Sequence, residues 1–246
     1  MIKSIVGFMV AILLLGAANA EPVSEAVAKT IKDNLKAARP DLSFGAVETS
    51  PIDGLYIVRV NGTQFVYANQ TGEYLITGDM YHARPGLFMP VKDLEAARIR
   101  KGLMDAVPKD DMIIFPAVDE TKAVIYVFTD VDCGYCQKLH NEALPGLNMA
   151  GVEVRYLAFP RAGVGSPSYR KIASAWCAED KLAALTALKN RQPIPENVCK
   201  DNPVAAQYAL GQEAGVTGTP ALIMEDGTLL PGYRPAPELL KVIGVN

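Results

Sequence analysis

Apolar and polar positions follow two rhythms along this chain. Over residues 22–38, Val23, Val27, Ile31 and Leu35 recur every fourth position, with Lys29, Lys32, Asp33 and Lys36 between them. That is the spacing of a helix with one apolar face, and Pro40 ends it. Short strand-forming runs follow. Leu55–Val60 and Thr63–Ala68 flank the turn pair Asn61-Gly62, and Asn69-Gln70-Thr71-Gly72 turns into Tyr74–Thr77. Asn61-Gly62-Thr63 and Asn69-Gln70-Thr71 also match the N-glycosylation pattern, but here they read as turn chemistry. One helix on a small sheet gives a thin core. A last strand over Tyr74–Tyr81 leaves an unpaired edge, where Gly78 lets another backbone approach closely. Dimerisation through this edge and a plain edge strand are both open readings.

Pro85-Gly86 and Pro90 break the pattern, and residues 91–106 read as a charged helix. Ile99 and Leu103 are neighbours on one helix face. Val91 and Leu94 fall on another, so the segment reads as a partly exposed connecting helix. Beyond it, Ala123–Phe128 is continuously apolar, β-branched and aromatic, the mark of a buried strand. Thr129 and Asp130 break that strand, and a helix opens at Cys133-Gly134-Tyr135-Cys136. Val152–Phe159 is a second strand, completing a strand–helix–strand unit. Residues 167–190 are helix-rich, with Trp176 read as core. A helix over Pro203–Ala214, strands at Ala221–Met224 and Thr228–Leu230 around Glu225-Asp226-Gly227, and a helix over Pro235–Val245 close the chain. The order β-α-β-helices-β-β-α is a thioredoxin-like fold with a helical insertion. The fold class is therefore α+β. The expected boundaries are 1–20 for a leader, 21–88 for the N-terminal domain, 89–108 for the linker helix and 109–246 for the thioredoxin-like domain.

The leader reading rests on Lys3, the apolar run Ile5–Leu15 and the small-x-small site Ala18-Asn19-Ala20. This is the pattern of a secretory signal peptide cleaved after Ala20. The mature chain is then expected outside the cytoplasm, where disulfides persist. No later apolar run reaches the about 18 residues of a membrane span, so no stable membrane insertion is expected. The formal net charge of −3 gives no reason to expect nucleic acid.

Chemistry enters with the cysteines. Cys133 stands where free backbone N–H groups and the helix dipole favour an anion. Its thiol should be acidified, and the thiolate is the attacking species in disulfide exchange. Cys136, one turn on, can close a disulfide with it. Half of a zinc site is the competing reading, but the remaining ligands would have to come from His140, His82, Cys177 and Cys199. Neither metal nor cofactor is expected. Four cysteines permit three pairings, and nearness in sequence favours Cys133–Cys136 and Cys177–Cys199. A bond between Cys177 and Cys199 is worth about 3 kcal/mol by chain entropy. It reads as structural, with a second redox pair as the alternative. Pro220 opens a strand, a position that tolerates proline.

Together these residues resemble the DsbC family of bacterial periplasmic disulfide isomerases. The likeness rests on Phe128-Thr129-Asp130 before the Cys133–Cys136 motif and on Arg155-Tyr156-Leu157-Ala158-Phe159-Pro160-Arg161. It rests also on Trp176-Cys177-Ala178 and on Tyr208-Ala209-Leu210-Gly211 leading into Gly218-Thr219-Pro220. The N-terminal half is similar more loosely, through Gly78-Asp79-Met80-Tyr81. The resemblance implies a V-shaped homodimer built on cystatin-like N-terminal domains, with two active sites facing an apolar cleft. It implies Cys133 as nucleophile, Cys136 as resolving thiol, and Gly134 and Tyr135 as the motif between them. Thr219 and Pro220 would form a cis-proline loop that binds substrate backbone, and Cys177–Cys199 would be a structural disulfide. The implied partners are unfolded or misoxidised exported proteins and a DsbD-type membrane reductase; chaperone activity is implied too. Thioredoxin buries an aspartate six residues before its first cysteine, and Val127 stands there in this chain. Asp130, Asp132 and Lys138 are then the nearby groups for proton handling. The competing functions are a net thiol oxidase, a holdase whose cysteines matter little, and a DsbG-like reductase.

Overall fold

The computed structural model describes residues 23–61 and 64–245. The expected leader lies outside the described residues, as do Gly62 and Thr63 of the first hairpin turn. The chain divides into two compact units, the first ending at Gly78 and the second beginning at Asp79.

In the first unit, helix α1 (Glu25–Ala38) is capped by Ser24, whose hydroxyl accepts from Val27 N. It lies on an antiparallel sheet in the order β1 (Phe44–Thr49), β2 (Leu55–Val60), β3 (Gln64–Asn69), β4 (Leu75–Thr77). Ile31 and Leu35 pack with Val58 and Ala68 in a core flanked by Val27, Phe44 and Val66. The expected strand over Tyr74–Tyr81 is two elements. β4 ends at Thr77, and Tyr81 opens a hairpin in the second unit, β5 (Tyr81–Arg84) and β6 (Leu87–Pro90). Gly78, at φ +125°, separates them in a conformation that favours glycine.

Residues 79–88 group with the second compact unit through side-chain contacts. Arg84 pairs with Asp226, and Thr228 Oγ1 donates to Met89 Sδ at 3.3 Å. Helix α2 (Leu94–Asp105) also belongs here. Its buried positions include Ala97 and Met104, while Ile99 is exposed. Arg100 Nε donates to Gly227 O at 2.7 Å. Gly227 has φ +81°, and a Cβ there would lie 1.7 Å from Ala97 O, so only glycine fits this turn. The segment is thus docked along one side rather than standing free.

The main sheet has the order β11–β10–β8–β9–β7: β11 (Leu229–Pro231), β10 (Ala221–Met224), β8 (Ala123–Thr129), β9 (Val152–Ala158) and β7 (Ile113–Phe115). β8 and β9 are parallel and the other pairs antiparallel. Central β8 is buried on both faces, which is why it is apolar at every position from Ala123 to Phe128. Ile125 and Val127 face one core, with Leu139, Leu147, Ile172 and Trp176. Val124, Tyr126 and Phe128 face the other, with Phe159 and Ile223.

Helix α3 (Gly134–Lys138) passes through a π turn (Leu139–Ala143) into α4 (Leu144–Met149). α5 (Pro167–Trp176), α6 (Lys181–Lys189) and α7 (Val204–Glu213) are the insertion, and α8 (Ala236–Ile243) closes the unit. A Cβ on Gly211 of α7 would lie 2.6 Å from the Phe159 ring. That close approach accounts for a glycine in mid-helix.

Candidate active site

Sheet register builds the site. β10 runs antiparallel to β8 with Ala221 opposite Phe128. The loop entering β10 therefore lies beside the loop leaving β8. Thr219-Pro220 on the first meets Cys133 on the second: Thr219 O lies 3.2 Å from Cys133 Sγ. The Thr219–Pro220 peptide is cis. Cys133 takes the N-cap of α3 in an extended conformation, and Cys136 follows in the first turn. Both are free thiols and both are buried, Cys136 completely.

The two thiols are driven apart. A hydrogen bond from the Cys136 thiol holds the Cys133 thiol down to about 5 against burial, helped by Thr219, by the Cys136 backbone N–H and by the Arg161 charge. Burial pushes the Cys136 thiol far up, and its hydrogen bond to Cys133 adds to the rise. At neutral pH the pair therefore holds one thiolate, on Cys133. Thr219 Oγ1 is the one buried side-chain N or O atom without a hydrogen-bond partner among the described residues. A hydroxyl free beside a thiolate can donate to it, and Thr219 lowers both thiols.

Tyr135 is 65% exposed and stacks on Tyr233, with ring centroids 6.5 Å apart. Gly134 has open space where a side chain would stand. Cys177 and Cys199 form a disulfide with Cα atoms 5.8 Å apart. It joins the end of α5 to the segment before α7, away from Cys133 in the chain but within the same unit. Gly78 lies in the connection between units and takes no part in this site.

The groups expected to handle protons are otherwise engaged. Asp130 is buried, and its carboxylate accepts from Asp132 N, Ser168 Oγ, Arg161 N and Arg161 Nε at 2.6–3.3 Å. Burial alone would raise its pKa, but these donors outweigh it and keep Asp130 ionised. Asp132 pairs with Lys171 at 2.8 Å. The Lys138 ammonium lies over the Tyr233 ring, 4.9 Å from its centroid. His140 is inside the helix, Nδ1 at 3.2 Å from Tyr156 Oη and Nε2 at 3.1 Å from Thr186 Oγ1. Burial holds its ring neutral, down to about 4.

Two contributors lie outside the Cys133–Cys136 motif. Arg161, which follows β9, brings its charge to Cys133. Lys189 is buried with Nζ on Thr129 Oγ1 and Asp130 O, in the loop that leads to the pair, and its charge reaches Cys136. The signal for Lys189 is positional: it stands four residues after buried Leu185, on the inward face of α6.

Residues 17–87 match the disulfide bond isomerase protein N-terminal domain, and residues 109–244 match a thioredoxin-like domain. The chain is 36% identical over 225 residues to the thiol:disulfide interchange protein DsbC of Dickeya dadantii, covering 91% of this chain and 90% of that one. It is 36% identical over 202 residues to DsbC of Escherichia coli, covering 82% of each. The chain belongs to the DsbC family. It is an enzyme of thiol–disulfide exchange with a thioredoxin-like domain and a DsbC-type N-terminal domain. A crystal structure of a disulfide interchange protein from Neisseria gonorrhoeae superposes with a TM-score of 0.50 at 32% identity, covering 56% of this chain and 96% of that one. Among the described residues no helix is long and apolar enough to cross a membrane.

Proposed function

We propose that this DsbC-family chain is a periplasmic protein disulfide isomerase working through reduced Cys133 and Cys136. The observation that carries the reading is the division of the pair: an acidified Cys133 thiol against Thr219 O and a fully buried, weakly acidic Cys136. The Cys133 thiolate attacks one sulfur of a wrong disulfide. A Cys133–substrate bond forms, and the second substrate sulfur leaves as a thiolate. When a thiolate of the substrate then attacks the Cys133-linked sulfur, a new substrate disulfide forms and Cys133 is released reduced. No net oxidation occurs, which is isomerisation. When Cys136 attacks instead, the substrate leaves reduced and the pair is oxidised. A membrane reductase of the DsbD type would return it to the dithiol.

Nothing crowds the position where a Gly134 side chain would stand, and Tyr135 presents an exposed aromatic face beside Cys133. Thr219 and Pro220 line a cavity of about 200 Å³ with Val216 and Pro231, suited to an extended substrate backbone. The Cys177–Cys199 bond acts as a structural brace. The N-terminal domain dimerises through its exposed edge, with Gly78 near the interface, and the paired sites also hold unfolded chains as a chaperone. Residues 1–20 export the protein and are cleaved after Ala20.

The test is reactivation of a disulfide-scrambled protein by catalytic amounts of the mature, reduced chain. Multiple turnovers that disappear in Cys133→Ala support isomerisation. Failure to reactivate, with fast oxidation of reduced substrate by the disulfide form, would make the chain a net oxidase.

A further inference from the structure

Lys189 ends α6, is 1% exposed, and stands against the loop that leads from β8 to the cysteine pair, where its charge reaches Cys136. Its Nζ donates to Thr129 Oγ1 at 2.5 Å and to Asp130 O at 3.1 Å. Both acceptors are uncharged. Asp130 O also accepts from Cys133 N at 3.3 Å, so one carbonyl joins the ammonium to the backbone of the proposed nucleophile. The Tyr156 ring stands 5.9 Å from Nζ. The titratable and charged groups around Lys189 are Asp130 and Asp132 after β8, Cys133 and Cys136 at α3, His140 in the π turn and Tyr156 on β9.

A buried ammonium is costly unless something compensates it. An apolar residue would satisfy the inward face of α6, where Leu185 and Leu188 already pack. Asp130 already serves four donors with its own carboxylate. The neighbour that has to become an anion, and that burial keeps from doing so, is Cys136.

We propose that Lys189 is a positioning residue for the resolving step, its ammonium being the counter-charge against which Cys136 sheds its proton and attacks the mixed disulfide. This rests on the reading of Cys133 as nucleophile and Cys136 as resolving thiol. In the step, Cys136 Sγ bonds to Cys133 Sγ and the bond from Cys133 to the substrate sulfur breaks. The leaving sulfur takes the electron pair of that bond and the proton that Cys136 lost. The pair is oxidised by two electrons and the substrate is reduced, while Lys189 begins and ends the step as an ammonium. Direct isomerisation through Cys133 does not need it. Lys189 thus sets how fast a trapped mixed disulfide escapes through Cys136. Burial lowers Lys189 to about 8, with the Cys136 and Asp130 charges pulling it back up, so the counter-charge is present at neutral pH and fades above that value.

The test uses the reduced mature protein and an aromatic disulfide, dithionitrobenzoate, in stopped flow. Attack by Cys133 releases one coloured thiolate, and attack by Cys136 on the mixed disulfide releases a second. In Lys189→Met the second phase is expected to slow by about tenfold at neutral pH, equivalent to one pKa unit of lost stabilisation. The first phase should change by less than about twofold, and the gap in the second should narrow as the pH is raised through the Lys189 ionisation. Lys189→Gln keeps a hydrogen-bond donor without the charge and should behave as Lys189→Met does, which covers a variant that folds poorly. An unchanged second phase, equal slowing of both phases, or a gap that ignores pH overturns the proposal. Cys136→Ala is the control for the underlying reading. A second phase that survives it would remove Cys136, and Lys189 with it, from the resolving step.

Discussion

Thr219 O stands 3.2 Å from Cys133 Sγ, although eighty-six positions separate the two residues. Antiparallel pairing of β10 with β8 closes that distance. The hydroxyl of the same threonine is buried without a partner. Thr219→Val keeps the carbonyl and the shape but removes the hydroxyl. The Cys133 thiol, held down to about 5 in the parent, should become less acidic. The pH dependence of alkylation by iodoacetamide measures this. The rate rises as the thiolate forms, so the midpoint should move to higher pH.

Cys136→Ala should move the same midpoint further, because the hydrogen bond from the Cys136 thiol is the largest influence lowering Cys133. Less thiolate would then be present at any given pH below the new midpoint. The variant should still form mixed disulfides but should accumulate them, since intramolecular resolution is gone. Mass spectrometry after mixing with a disulfide-bonded peptide reads the adduct directly. A midpoint that stays near its parent value would mean that Thr219, the Cys136 backbone N–H and Arg161 set the acidity.

The Asp130 carboxylate holds the loop that leads to Cys133, through Asp132 N, Arg161 and Ser168. Its pKa in the folded chain lies below the ordinary value of about 3.9. A depressed carboxylate adds stability that is fully present above its unfolded pKa and is lost as pH falls through the folded one. Asp130→Asn should therefore be less stable than the parent at neutral pH, and the two should converge under acid. Urea unfolding at several pH values measures the convergence. A gap of constant size would show that the lost hydrogen bonds, rather than the charge, matter.

Much of this fold could be read from local pattern, and the parts that could not have identifiable causes. β8 and β9 announce themselves because strands buried on both faces must be apolar throughout. The hairpin β5–β6 was hidden because Pro85-Gly86 looks like a break, and Tyr81, His82 and Ala83 are exposed. β7 offers only Ile113-Ile114-Phe115, too short for a period. Within the site, Cys133 and Cys136 carry their spacing in the sequence, while the role of Thr219-Pro220 is legible only through the family resemblance. Arg161 and Lys189 act across tertiary contacts that no spacing encodes. Lys189 in particular looks like an ordinary charge near a helix C-terminus until the packing of α6 turns it inward.

The Cys177–Cys199 disulfide ties two segments of the insertion that are 22 positions apart. Replacing both cysteines by serine should cost about 3 kcal/mol by loop-closure entropy. The cost should appear as a lower urea midpoint. Cys133 alkylation in the folded protein should keep its parent pH profile, because the acidity of that thiol is set chiefly by Cys136, Thr219 and Arg161. A shifted profile would mean that the disulfide shapes the active loop as well as bracing it.

β4 ends the four-stranded sheet of the first unit among the described residues. Tyr74, Leu75 and Ile76 are all exposed there, Ile76 at 56%. A short apolar strand at a sheet edge invites pairing with a second copy unless charge or proline blunts it. Ile76→Lys places a charge on that edge without touching the core formed by Ile31, Leu35, Val58 and Ala68. The variant should fold, retain the Cys133 alkylation profile and sediment as a monomer where the parent sediments as a dimer. Isomerase turnover should fall while single-turnover attack by Cys133 persists, since each thiol pair is complete within one chain. A parent that is already monomeric, or a variant that remains dimeric, would move the interface away from β4.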